Sequence, residues 1–246
     1  MTYLFLHGFT GGPEAWDAVR SFLPPKTAVI CPELGGHGET EALPWDDEVS
    51  RILERLELED AHEVHLVGYS FGGRLGWGAL AQNSPRVIRA TLIGAHPGLL
   101  DSAARIARQQ ADTQWVRMLR DQGIEAFADA WEKLPMWVSQ QQVEPLRHQA
   151  RRALRRRHPP RRLADALARL GLGEMPELDH QSIHVPITLI SGSLDTKFER
   201  ILSDLAPRLM NARHRSVAEA GHDVTLERPR ELASLLQEPL IRAEAS

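Results

Sequence analysis

Ser70 stands at the centre of "GYSFG" (68–72), directly after the apolar run "VHLV" (64–67). A serine hydroxyl is a weak nucleophile and a weak base. It needs a histidine beside it, and the histidine needs a carboxylate to orient it. G-x-S-x-G between a strand and a helix is the pattern of a sharp turn that pushes the serine oxygen clear of a sheet. In that setting the partners should follow in the order serine, acid, histidine. Asp195 in "SGSLDTKF" and His222 in "EAGHDVTLERP" meet that order. Taken singly, Asp195 reads as a helix N-cap and His222 as a loop histidine. Taken together with Ser70, they predict a hydrogen-bonded triad. Asp223, next to His222, stands on the wrong side of the order to be its acid.

A serine acting on a carbonyl compound also needs backbone N–H groups for the oxyanion. Phe71, the residue after the serine, should supply one. Phe9 in "LHGFTGG" (6–12) should supply the other, with His7 and Gly8 shaping the turn. "GFTGG" could also be read as a phosphate loop, but it lacks the Walker lysine, and G-x-G-x-x-G is absent.

The elements that must position these groups are short. "YLFL" (3–6), "AVIC" (28–31), "VHLV" (64–67), "ATLIG" (90–94), "PITLIS" (186–191) and "HRSVA" (214–218) read as strands, most with the continuous apolar character of strands covered on both faces. Helical patterns lie between them at 13–23, 46–56, 72–82 and 198–209. The alternation predicts an α/β fold with a mostly parallel sheet. It breaks once, between about Pro97 and Ile183, where only helical pattern is found. The expected organisation is therefore a core over 1–96, a helical cap over 97–183 inserted between two core strands, and the rest of the core over 184–246.

Bulk properties exclude several classes. The chain of 246 residues is 42% apolar and 25% charged, as expected of a globular protein with a sizeable core. A net charge of −4 gives no general attraction to nucleic acid or anionic membrane. The densest charge run, "RHQARRALRRRHPPRR" (147–162), is expected to be a solvated helix face. A single cysteine, Cys31, permits no internal disulfide and fits a reducing compartment. No apolar run reaches membrane-spanning length, and "MTYLFLHGF" lacks the basic region and cleavage site of a signal peptide. A cytoplasmic enzyme is expected, with no nucleic-acid or membrane partner. No His, Cys or Asp set shows metal-ligand spacing, so no metal and no cofactor are expected. No pattern in the chain sets an oligomeric state.

"LHGFTGG", "PELGGHGET", "GYSFGG", "GSLD" and "AGH" fall in the order of the α/β-hydrolase fold, which the whole chain resembles from the strand before the HG loop onward. More narrowly, "GYSFGGR", "GAHPGL" (94–99), "ARIARQQADTQW" (104–115), "FADAWEKLPMW" (127–137), "DTKF" (195–198) and "PPRRLADALARLGLGEMPEL" (159–178) resemble the 2-succinyl-6-hydroxy-2,4-cyclohexadiene-1-carboxylate synthases of menaquinone biosynthesis. The resemblance implies a lyase that eliminates pyruvate from a cyclohexene bearing succinyl, carboxylate and enolpyruvyl groups, with Ser70 as general base. The substrate is then a small polycarboxylate, which needs cations. Arg74 lies one helical turn beyond the serine, and Lys197 lies two residues beyond the acid. Arg108 and Trp131 occupy the family's matching positions in the cap, with Arg105 as a competitor for Arg108. Tyr69 is placed to donate a hydrogen bond, and His96 and Trp137 to line the pocket. The alternative is a carboxylesterase or carbon–carbon bond hydrolase that uses the same triad with water. "PELGGHGET" departs from the D-x-P-G-H-G of many relatives by its glutamate and extra glycine.

Overall fold

The computed structural model describes residues 1–239. Six strands form one sheet: β1 (Thr2–Leu6), β2 (Val29–Ile30), β3 (Val64–Tyr69), β4 (Val87–Ile93), β5 (Ile187–Gly192) and β6 (Ala212–Val217). All pair in parallel, in the order β2-β1-β3-β4-β5-β6. The helices are α1 (Asp17–Arg20), α2 (Trp45–Leu58), α3 (Phe71–Ala81), α4 (Ser102–Trp131), α5 (Pro145–Arg156), α6 (Pro160–Leu170), α7 (Thr196–Leu205), α8 (Val224–Glu227) and α9 (Pro229–Leu236).

The continuous apolar strands bury both faces because each face carries its own layer. Leu4, Leu6, Leu66, Leu92 and Leu189 pack against α2, α3 and α7. The alternate residues Tyr3, Phe5, Val67, Tyr69, Ile93 and Ile190 pack against α1, α8 and α9. This is the two-residue period of a strand read on two covered faces. The edges are weaker. β2 shrinks to two residues, and β6 is partly exposed along most of its length.

Between β4 and β5 the described chain is helical, as the broken alternation predicted. Asp101 caps α4 by accepting the Ala104 N–H, and Gly123 (φ 81°) bends the helix. Glu144 caps α5, with Pro145 at its first position. α4 lies on α6 through Val116, Leu119, Phe127, Leu163 and Leu167.

Register puts the strand ends level: Leu6 pairs with Gly68, Tyr69 with Ile93, and Ile93 with Ile190. The strand order runs outward in opposite directions from β1 and β3. The loops that leave these two strands therefore meet at a topological switch point, where parallel sheets bind ligands.

Candidate active site

Ser70 occupies φ 50°, ψ −105°, a conformation that costs a non-glycine residue free energy. The surrounding turn enforces it. A Cβ at Gly68 would lie 2.6 Å from the Gly73 Cα, and one at Gly72 would collide with the carbonyl oxygens of Leu6 and His7. Only glycine lets the turn close this tightly. The Gly72 N–H then donates to the His7 carbonyl at 3.0 Å, which ties the serine turn to the loop after β1.

The Ser70 hydroxyl lies 3.0 Å from His222 Nε2, and His222 Nδ1 lies 2.7 Å from Asp195 Oδ2. With a carboxylate on Nδ1, that nitrogen carries the proton and Nε2 accepts from serine. Asp195 also fulfils the simpler reading. Its Oδ1 accepts the Phe198 N–H at 3.3 Å and caps α7, so one carboxylate ends a loop and orients the imidazole. α7 is in turn held to the sheet where Ser191 and Ser216 donate to Glu199. Asp223 points elsewhere, into an ion pair with Arg151 at 3.1 Å.

The loops after β1 and β3 face each other, with the Phe9 and Phe71 rings 6.1 Å apart. Among the described residues neither the Phe9 nor the Phe71 N–H has a protein acceptor.

A cavity of about 300 Å³ opens on the serine, lined by Ser70, His222 and Phe9 from the core and by Trp115, Trp131 and Leu134 from the cap. Four of the expected polar residues lie on its wall: Arg74, His96, Arg108 and Lys197. Arg74 is 8% exposed and donates to the Leu170 carbonyl at 2.7 Å. Among the described residues it has no carboxylate partner. Burial, then the nearby Arg108, lowers its pKa to about 9, against the opposing pull of Asp112. Arg108 uses its Nε on both Asp112 oxygens, each at 2.9 Å. Its two terminal nitrogens have no protein acceptor among the described residues. Lys197 is exposed at the rim, with Nζ 5.5 Å from the Phe198 ring. His96 accepts the Gly98 N–H on Nδ1 at 3.1 Å. Burial, then Lys197, Arg74 and Arg108, lowers its pKa to about 4, so it enters the cavity as a neutral ring.

Two expected residues stand behind the cavity wall. Tyr69 is buried against His222 at 5.5 Å between ring centroids. Trp137 lies edge-on to His222 at 5.7 Å and touches the Arg155 guanidinium. The competitor Arg105 is committed elsewhere: it donates to the carbonyls of Leu99, Gly173 and Met175 and pins the start of α4. A second cavity of about 700 Å³ lies on the other side of His222, between residues 134–142 and 194–198.

The basic run is not a free solvated face, as its composition suggested. Arg151, Arg155, Arg156, Arg157 and Arg162 pair with Asp223, Glu132, Asp129, Glu14 and Glu39, and Arg147 donates to the Leu226 carbonyl. Most of these partners belong to the core, so the run fastens the cap. Sequence patterning missed them because each acid lies far away in the chain. It also missed His37 and His158, which hold the loop 34–40. The G-H-G in "PELGGHGET" was the available signal.

Residues 3–235 match the model of the alpha/beta hydrolase family. The chain is 31% identical over 242 residues to the 2-succinyl-6-hydroxy-2,4-cyclohexadiene-1-carboxylate synthase of Enterobacter sp. (strain 638), covering 96% of this chain and 90% of that one. It is 34% identical over 242 residues to a Bacillus subtilis (strain 168) protein provisionally given the same name, covering 95% of this chain and 88% of that one. The structure of MenH from S. aureus superposes with a TM-score of 0.91 at 26% identity, over 96% of this chain and 91% of the other. The fold and the serine turn define an α/β hydrolase. Within that family, the chain belongs to the group of the 2-succinyl-6-hydroxy-2,4-cyclohexadiene-1-carboxylate synthases.

Proposed function

We propose that the protein eliminates pyruvate from 2-succinyl-5-enolpyruvyl-6-hydroxy-3-cyclohexene-1-carboxylate to give 2-succinyl-6-hydroxy-2,4-cyclohexadiene-1-carboxylate. The observation that carries this reading is Arg74. A guanidinium buried on the serine's cavity, with no carboxylate partner among the described residues, lacks a counter-ion there, and a buried cation is costly until it has one. A substrate carboxylate supplies that partner, and planar bidentate geometry suits arginine. Arg108 and Lys197 offer further donors on the same wall. A neutral ester has no use for three converging cations.

His222, oriented by Asp195, takes the Ser70 proton as the alkoxide removes the ring proton beside the succinyl ketone. The C–H electron pair forms a double bond to the ketone carbon, and negative charge develops on the ketone oxygen. The N–H groups of Phe9 and Phe71 are the donors for that oxyanion. The charge returns to form the second ring double bond as the C–O bond to the enolpyruvyl group breaks. The departing enolate takes up a proton from the His222 imidazolium and becomes pyruvate. His96, neutral with its proton on Nε2, serves as a further donor to a substrate oxygen. Trp131 and Trp115 cover the ring from the cap.

A paired assay tests this: pyruvate release from the enolpyruvyl cyclohexene, and nitrophenolate release from a short p-nitrophenyl ester. Fast pyruvate release with slow ester cleavage is the expected result. Fast ester cleavage without pyruvate would replace the lyase with an esterase.

A further inference from the structure

Nothing in the mechanism above uses the loop after β2, yet that loop sends a buried histidine to the oxyanion turn. The Thr10 N–H donates to His37 Nε2 at 3.0 Å. His37 Nδ1 faces the carbonyls of Gly35 at 3.2 Å and Leu34 at 3.3 Å. That pattern puts the proton on Nδ1 and leaves Nε2 as the acceptor. Burial, then the neighbouring His7 and His158, holds its pKa well below the usual range, so the acceptor persists in neutral solution.

Thr10 follows Phe9 and adopts φ 63°, a strained conformation for a β-branched residue. Packing has to hold it there, and the surroundings show how. The Gly11 N–H donates to the Gly8 carbonyl at 2.9 Å, closing a turn with Phe9 and Thr10 at its centre. The Gly8 carbonyl shares a peptide plane with the Phe9 N–H, so the turn sets the direction of that N–H. His7 Nδ1 donates to the same carbonyl at 3.0 Å, and its Nε2 accepts the Leu34 N–H at 3.0 Å. Two histidines thus brace the turn against one loop. The cap reaches the same place. Arg155 Nε donates to Thr10 Oγ1 at 3.3 Å. His158 Nδ1 accepts the Gly38 N–H at 3.0 Å, and its Nε2 faces the Thr10 and Gly11 carbonyls without reaching hydrogen-bond geometry.

We propose that His37 is a positioning residue for the oxyanion site: by accepting the Thr10 N–H it holds the turn that aims the Phe9 N–H, and His158 of the cap keeps its loop in place. The proposal rests on the reading of Phe9 as an oxyanion donor. It makes the donor's alignment depend on a seated cap.

The test compares wild type, His37→Leu and His37→Gln. Leucine removes the acceptor at similar volume, and glutamine restores an acceptor near the Nε2 position. Readouts are kcat and KM for pyruvate release, the rate of Ser70 modification by a p-nitrophenyl alkylphosphonate, and hydrogen exchange of the Thr10 amide. His37→Leu should lower kcat and the modification rate about 10- to 100-fold, as loss of a supporting hydrogen bond does, with KM little changed. Thr10 exchange should accelerate, and His37→Gln should recover much of each value. A folded His37→Leu with wild-type rates, or a glutamine variant as impaired as leucine, overturns the proposal. If His37→Leu does not fold, His158→Leu carries the test: faster Thr10 exchange and lower kcat support it, and wild-type values on both overturn it. A wild-type protein that neither releases pyruvate nor reacts with the phosphonate removes the oxyanion reading itself, and this proposal with it.

Discussion

Arg74 and Arg151 are both arginines with 8% exposure, and the structure treats them in opposite ways. Arg151 reaches from the cap to Asp223 at 3.1 Å, to Thr225 Oγ1 at 3.1 Å and to the Ala15 carbonyl at 3.2 Å. Arg74 donates to the Leu170 carbonyl and lies over the Phe71 ring, and among the described residues it meets no carboxylate. One cation is fully answered by the fold, and the other is held open toward a cavity. A buried guanidinium without an acid is a cost that packing alone would not retain. What the fold leaves unused, rather than charge density, separates fastening cations from those kept for a ligand: Arg108 gives Asp112 its Nε, and among the described residues its terminal nitrogens have no acceptor. The sequence concentrates arginine at 147–162, but the cations on the cavity wall are scattered at 74, 108 and 197.

The comparison breaks most sharply at Arg74. Arg74→Met should lower kcat/KM by about 10²-fold, the order of roughly 3 kcal/mol lost when one member of a buried charge pair is removed. The same change should leave the thermal midpoint unchanged or raise it, because an uncompensated buried charge disappears. Steady-state kinetics and a melt on the same preparation decide it. Wild-type kinetics would remove Arg74 from the binding wall. A large drop in the midpoint would make it a fastening residue like Arg151.

Arg151→Met should show the reverse pattern. It leaves Asp223, 2% exposed, without its ion partner, and breaking such a buried pair costs about 3 kcal/mol or more. The midpoint should fall by several degrees, while turnover per folded molecule stays close to wild type. Urea unfolding followed by fluorescence, with activity measured at low urea, separates the two. A stable but inactive variant would erase the distinction between the two arginine sets.

Much of this was legible in the chain. The four inner strands were visible because burial on both faces demands unbroken apolar runs, and the serine turn because Gly68 and Gly72 leave no room for a Cβ. Asp195 and His222 were read from their places after strands and their order behind Ser70, and the fold brings the three side chains into one hydrogen-bonded row. The edges were read less well: "AVIC" yields only Val29–Ile30, and β6 begins at Ala212, two residues before the apolar cue. An edge strand is half solvated, so its pattern is weak. The cap's helices were legible but its bend at Gly123 was not. The role of the basic run was hidden because ion pairing is a tertiary property, and Glu14, Glu132 and Asp223 are remote in sequence from the arginines they meet.

Acid should act on the cavity's other polar member and on the loop behind it. His96 and His158 have pKa values lowered to about 4, and His7 to about 3, each chiefly by burial. The unfolded chain protonates these rings below about 6.5 while the folded one does not. The unfolded state then binds more protons, so stability rises with pH across this window. It should be fully present above about pH 6.5 and decline as pH falls toward 4. Melts between pH 4 and 8 test this, and His158→Gln should flatten part of the slope. A midpoint independent of pH would mean that these rings titrate normally in the folded protein.

The smallest effect belongs to an exposed fastening pair. Arg157 meets Glu14 through both terminal nitrogens, but both side chains are more than two-fifths exposed. Exposed pairs contribute about 0–1 kcal/mol and are screened by salt. Arg157→Ala should therefore shift the midpoint by about 2 °C or less, and that shift should vanish in high salt. Kinetics should be unaltered, because Arg157 touches neither the cavity nor the Thr10 turn. The variant sits one residue from His158, so it also sharpens the proposal about the oxyanion turn. If Arg157→Ala accelerates Thr10 exchange as much as His158→Leu does, the turn responds to the cap's general seating. If only His158→Leu does so, the effect runs through the single hydrogen bond from the Gly38 N–H.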